Sequence, residues 1–132
     1  MREPEAVLEA AARTLDLDRP VGPVLPGALD LVPDAGQAYG IVRRLMDALA
    51  PGSHLALSQA VHGQALDRTV RSRNGSGGIP MTLRGQEEVE GFFAGLGTPE
   101  PGVVPLPRWR PGPGAPVAGR GAVHVCGVGR KP

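Results

Sequence analysis

Residues 29–58 read LDLVPDAGQAYGIVRRLMDALAPGSHLALS, and the fold follows from this stretch. Leu29–Leu31 ends a strand, Pro33 and Asp34 turn the chain, and the next residues carry the clearest helical period in the sequence. Ile41, Leu45 and Leu49 recur at helical spacing with Val42 and Met46 beside them, whereas Arg43, Arg44 and Asp47 fall elsewhere around the helix. One face is therefore apolar and expected to be buried. Pro51-Gly52 stops the helix, and Leu55 and Leu57 alternate with His54, Ala56 and Ser58 in the manner of a strand. Strand, helix and strand in succession predict a βαβ unit, whose right-handed crossover makes the two strands parallel.

Upstream, Glu3-Pro4-Glu5 followed by Ala6, Val7, Leu8 and Ala10 to Leu15 predicts a helix with Pro in its first turn and acidic groups at its positive end. The segment 21–29 is a poor strand. Pro23 and Pro26 each remove an amide donor, while Gly22 and Gly27 add backbone entropy, so the segment is expected at a sheet edge or as an irregular passage.

Downstream, Gln59 to Val70 has a weak helical pattern through Leu66 and Val70, interrupted by Gly63. Residues 71–78, RSRNGSGG, combine glycines with small polar groups and predict a flexible loop. Ile79 to Arg84 is extended, and a helix over Gln86 to Ala94 turns Val89, Phe92 and Phe93 inward and Glu87, Glu88 and Glu90 outward. A short strand at Val103–Pro107, broken by Pro105, a flexible Pro/Gly loop at 111–120 and a last strand at 122–129 predict an antiparallel terminal hairpin.

The 20 Gly and 15 Pro among 132 residues, with only 3% aromatics, predict a small core and long irregular segments. A net charge of +1 gives no long-range attraction to nucleic acid or to a membrane. Cys126 is the single cysteine, which excludes an intrachain disulfide and fits a reducing cytoplasm. Neither a leader pattern nor an apolar run of spanning length occurs, so a cytoplasmic location without membrane insertion is expected.

His54, His62 and His124 have no metal-site spacing, and no metal is expected. Cys126 reads as a small buried hydrophobe, and Ser58 lacks a nucleophile elbow. Gly127-Val128-Gly129 has no helix after it to offer amides to phosphate, so a turn or linker role is expected. Arg108-Trp109-Arg110 invites a weak nucleic-acid reading, set against the nearly balanced charge; the plainer role is Trp109 covering an edge with its arginines in water. Position says more. Ligands of parallel α/β folds sit beyond the carboxyl ends of strands, which singles out Leu29, Asp30 and Leu31, then Ser58, Gln59 and Ala60. Asp30 is a candidate hydrogen-bond acceptor or base, and Asp34 an ordinary turn or helix-start carboxylate.

The strings LVPD, YGIVRRLMDALAPGSHLALS, GIPMTLRGQEEVEGFF, EPGVVPLPRWRP and GVGRKP together resemble the second half of an actinobacterial family of S-adenosylmethionine-dependent methyltransferases, formerly a domain of unknown function. The resemblance covers essentially the whole chain. It implies an α/β fold, namely the C-terminal half of a Rossmann-like class I methyltransferase domain with parallel strands and a terminal antiparallel hairpin. It also implies S-adenosylmethionine as cofactor and a small-molecule methyl acceptor. Leu29, Asp30 and Leu31 would then stand at the cofactor edge, where His-Phe is common in place of Asp30-Leu31, and Ser58 and Gln59 at the substrate edge, where Gln59 replaces a His. The family's glycine-rich loop and ribose-binding acid have no counterpart here. A truncated or split enzyme is therefore expected, completed by a separate N-terminal half or a second copy, with a noncatalytic remnant as the alternative.

Overall fold

The computed structural model describes residues 3–115 and 123–132. Helix α1 spans Pro4–Ala12, with its proline in the first turn as expected. Strand β1 is only Val24–Pro26, and a short 3-10 helix, Ala28–Leu31, follows directly. Leu29 to Leu31 therefore lie in a helical turn rather than at a strand end. Helix α2 runs from Ala35 to Asp47 and strand β2 from His54 to Ala60. After them come α3 (Gln64–Gly75), α4 (Gln86–Gly91), β3 (Val104–Pro105) and β4 (His124–Arg130).

One sheet takes the order β1-β2-β4-β3, with β1 parallel to β2 and β4 antiparallel to both of its neighbours. The βαβ unit and the terminal hairpin are thus both present. Among the described residues β1 is an edge, and its prolines are accommodated by what proline retains. The carbonyls of Val21 and Pro23 accept from His54 N and Ala56 N, and Gly27 N donates to Ser58 O, so the donor that Pro26 lacks is on the open side.

Helix α2 starts on Asp34, whose carboxylate accepts from Gln37 N at 2.6 Å, and buries Ile41, Val42, Leu45 and Met46. These side chains join Leu25, Leu55, Leu57, Val125, Val89, Phe92 and Phe93 in a single core. Each contributes roughly 1.5–3 kcal/mol on leaving water, so this face outweighs the surface ion pair of Arg44 with Glu5 in fixing the helix. At the other end of α2 the Lys131 ammonium donates to the carbonyls of Met46, Asp47 and Leu49 at 2.9, 3.1 and 2.7 Å, closing the helix C-terminus.

Two further expectations need correction. The stretch 71–78 is not a loop throughout, because α3 continues to Gly75 and only the last residues turn. Asn74 supplies the reason: its amide donates to Met81 O at 3.0 Å and accepts from Met81 N at 2.8 Å, tying the helix end to the next segment. Gly127 and Gly129 lie in β4, as the expected last strand has it, and not in the turn or linker also expected of them. A Cβ on Gly129 would lie 2.8 Å from Leu96 Cδ1 and 2.9 Å from Phe93 Cδ1, so the missing side chain admits the α4 region to the sheet. Of the expected 111–120 loop, residues 116–120 lie outside the described residues, as does Ala122 at the start of the expected last strand.

Candidate functional site

The carboxyl ends of β1 and β2 meet at a buried polar cluster. Gly27 takes a left-handed conformation, with φ 64°, and the turn it opens tucks Asp30 inward to 5% exposure. Asp30 Oδ1 accepts from Ala60 N at 3.1 Å, while Oδ2 faces His124 Nε2 at 4.0 Å. His124 arrives there because it is the register partner of Ala60 across β2 and β4. Burial pushes the Asp30 carboxyl above its usual range, and the Ala60 amide, His124 and Arg84 pull it partly back.

Arg84 is the residue missed by sequence reasoning. It is 1% exposed, and its guanidinium donates to Leu29 O at 2.8 Å, to Val32 O and to Gln59 Oε1 at 3.2 Å, with the Phe92 ring 5.7 Å away. The signal available was slight: an arginine at the end of an extended Met81-Thr82-Leu83 run. Its backbone explains the capture, since Arg84 N donates to Ala60 O and Val61 bridges Arg84 in parallel fashion.

Gln59 is fully buried, and its amide donates to Ala60 O and Thr82 O, each at 3.1 Å. The structure therefore brings Leu29, Asp30 and Gln59 together around Arg84, with Leu29 wholly in the core. Leu31 is 39% exposed and Ser58 half-buried, so these two of the six strand-end candidates are the ones with accessible surface. Beyond the end of β2, His62 Nδ1 lies 3.2 Å from Asp67 Oδ1 in the first turn of α3, a second polar pair not singled out from sequence.

Other features take ordinary places. Burial pushes the Cys126 thiol up, which disfavours the reactive thiolate. Arg110 stacks on Trp109 at 5.0 Å and donates to Glu100 O. A cleft of about 570 Å³ lies between α2 and the turn after α4, and reaches Lys131 beside the start of β2, the opposite end of that strand from Ala60. Among the described residues, no cluster of His, Cys, Asp and Glu is arranged to hold a metal, and no helix is long and apolar enough to cross a membrane.

A parallel β1-α2-β2 unit with an antiparallel terminal hairpin, and polar groups gathered at the carboxyl ends of its parallel strands, defines a mixed α/β domain of the class I methyltransferase kind. The chain belongs to the S-adenosyl methyltransferase family, whose model matches residues 1–132. It is similar to a DUF574 family protein of Streptomyces avermitilis, at 36% identity and a TM-score of 0.88, over 98% of this chain and 52% of that one. A candidate methyltransferase of Thermobifida fusca aligns at 30% identity and a TM-score of 0.82, over 98% and 51% of the two chains. The N-methyltransferase NodS of Bradyrhizobium japonicum, solved with S-adenosyl-L-homocysteine, shares the fold at 18% identity, with a TM-score of 0.52 over 98% of this chain and 63% of that one. Comparison with curated proteins gives no match. The chain spans about half the length of the Streptomyces and Thermobifida proteins.

Few groups at these strand ends are free to meet a methyl donor. Leu31 offers apolar surface, whereas the Leu29 and Asp30 carbonyls are taken by Arg84, Val32 and Thr82, Gln59 spends its amide inside the cluster and Asp30 spends one oxygen on Ala60.

Proposed function

We propose that this chain forms one wall of an S-adenosylmethionine-dependent methyltransferase site. Leu29, Asp30 and Leu31 stand on the cofactor side, Ser58 and Gln59 on the side of a small-molecule acceptor. The observation that supports this most is the buried Asp30 and Gln59 pair at the carboxyl ends of parallel strands, in a chain of methyltransferase family. When bound, the donor would supply an activated methyl group; the chain's own part is to hold the edge of the site rigid and to shut water out beneath it. Asp30 acts here as a positioning group, pinning the Leu29–Leu31 turn to Ala60, and Arg84 fastens the same turn through the Leu29 and Val32 carbonyls. The remaining contacts to the donor come from outside these 132 residues.

An amide-resolved NMR titration with S-adenosyl-L-homocysteine tests the assignment. Shifts should concentrate at residues 27–31 and 58–60 and saturate only at millimolar ligand. Shifts confined to the α2 and α4 cleft would sink the placement of the site, and micromolar binding would sink the requirement for a second wall.

A further inference from the structure

We propose that His62, Asp67 and Arg71 form an acceptor subsite for a small hydroxyl compound that also carries a carboxylate, with His62 as the proton acceptor and Arg71 as the anchor. This rests on the methyltransferase reading and adds to it the chemical class of the acceptor.

The placement comes from the backbone. Beyond Ala60, Val61 continues in a strand-like bridge to Arg84, and His62 N donates to Arg84 O at 3.3 Å, so the imidazole is delivered just past the carboxyl end of β2. Helix α3 opens at Gln64 and returns Asp67 to it, Oδ1 lying 3.2 Å from Nδ1. Arg71 follows Asp67 by one helical turn and shares its face. Together with Val70 and Leu83 the three residues line a cleft of about 320 Å³.

The stability that this pair lends is small, because both side chains reach water, at 62% and 35% exposure. Its chemical effect is larger. An imidazole whose Nδ1–H donates to a carboxylate keeps its lone pair on Nε2, the form needed to receive a proton. A hydroxyl acceptor needs such a group, whereas a neutral amine already has a free lone pair. The hydroxyl proton passes to His62 Nε2, and the released oxygen lone pair forms the bond to the methyl carbon. The carbon–sulfur bond of the sulfonium donor breaks with its electron pair going to sulfur, leaving a methyl ether and a neutral thioether. Val70 and Leu83 suit the hydrocarbon body of the acceptor, and the guanidinium fork of Arg71 suits its carboxylate.

The test needs no methyl donor. Long-range 1H–15N spectra of the chain, in mildly alkaline solution, should find the His62 proton on Nδ1 in the wild type and no longer held there in D67A. The hydroxy acid 4-hydroxybenzoate serves as probe: it should shift the His62 ring resonances, and R71Q should weaken its binding about tenfold, the change expected from losing a charge-assisted contact. Amide spectra of each variant establish that α3 is intact, and R71K should recover part of the affinity by restoring the charge. A proton on Nε2 in the wild type overturns the proposal, as does a probe that leaves His62 unmoved or binds R71Q equally well. Any of these results leaves the family-level reading standing, while failure of the S-adenosyl-L-homocysteine titration leaves this outcome interpretable.

Discussion

Arg84 carries more of the site's geometry than any residue named from sequence. Its guanidinium satisfies the Leu29 and Val32 carbonyls and Gln59 Oε1, so removing it strands Val32 O and Gln59 Oε1 and leaves Leu29 O with the Val32 amide alone. R84M should lower unfolding free energy by roughly 3–5 kcal/mol in urea titrations, the scale of breaking a buried charged network; a loss within about 1 kcal/mol would show that these carbonyls find other donors. Asp30 makes a prediction of opposite character. Its folded-state pKa is raised above 3.8, chiefly by burial, so the folded chain holds this proton more firmly than the unfolded chain does. The resulting stabilisation is fully present below the unfolded value and is lost as pH rises through the folded one. D30N keeps an oxygen for Ala60 N and removes the titration. The stability of wild type relative to D30N should therefore decline with pH from 3.8 upward and then level, as read from urea midpoints; a difference that rises with pH would mean that the neighbouring donors outweigh burial. Sequence distinguished Asp34 from Asp30 only by position, and Asp34 is indeed the N-cap of α2. It could not register Arg84, because a lone arginine after an apolar run gives no hint that it folds inward; that depends on the Ala60 and Arg84 backbone pairing.

At the scale of elements, legibility followed local periodicity. Helix α2 was readable because its apolar stripe needs no partner to be recognised, and β2 because Leu55 and Leu57 alternate cleanly. Helix α3 was only half readable, since RSRNGSGG has loop composition and is held as a helix end by the side chain of Asn74. Strand β1 was legible as an edge element, while the helical turn at 28–31 was hidden behind the apolar Ala28-Leu29 pair. The β4 glycines show most plainly what composition conceals. Flexibility is their usual reading, yet here they are close-packing positions against Phe93 and Leu96. G129A should cost about 1–3 kcal/mol through overpacking, although alanine favours ordered backbone in general. A thermal shift that moves upward instead would indicate that Leu96 can swing aside.

Across the whole molecule, the parallel β1-β2 pair and terminal hairpin were legible, and the family resemblance in the ordered motifs was confirmed by the match over residues 1–132. What remained hidden was how unevenly the chain is packed. The sheet, α2 and α4 share one core, whereas α3 contributes Val70 as its buried apolar side chain among the described residues. A helix with so little apolar burial depends on its polar contacts, among them the two Asn74 hydrogen bonds to Met81, that of Arg73 Nε to Ile79 O and the exposed pairing of Asp67 with His62. It should therefore open without global unfolding. In hydrogen exchange, α3 amides should exchange well before those of β2 and β4, and N74A should widen the gap by about tenfold, as loss of roughly 1.4 kcal/mol of local stability implies. The β2 and β4 rates should hardly change in that variant, because their ladder of seven register pairs lies outside the opening unit. Equal protection of α3 and β2 in the wild type would mean that α3 belongs to the cooperative core, and the rim beside His62 would then be a fixed part of the fold.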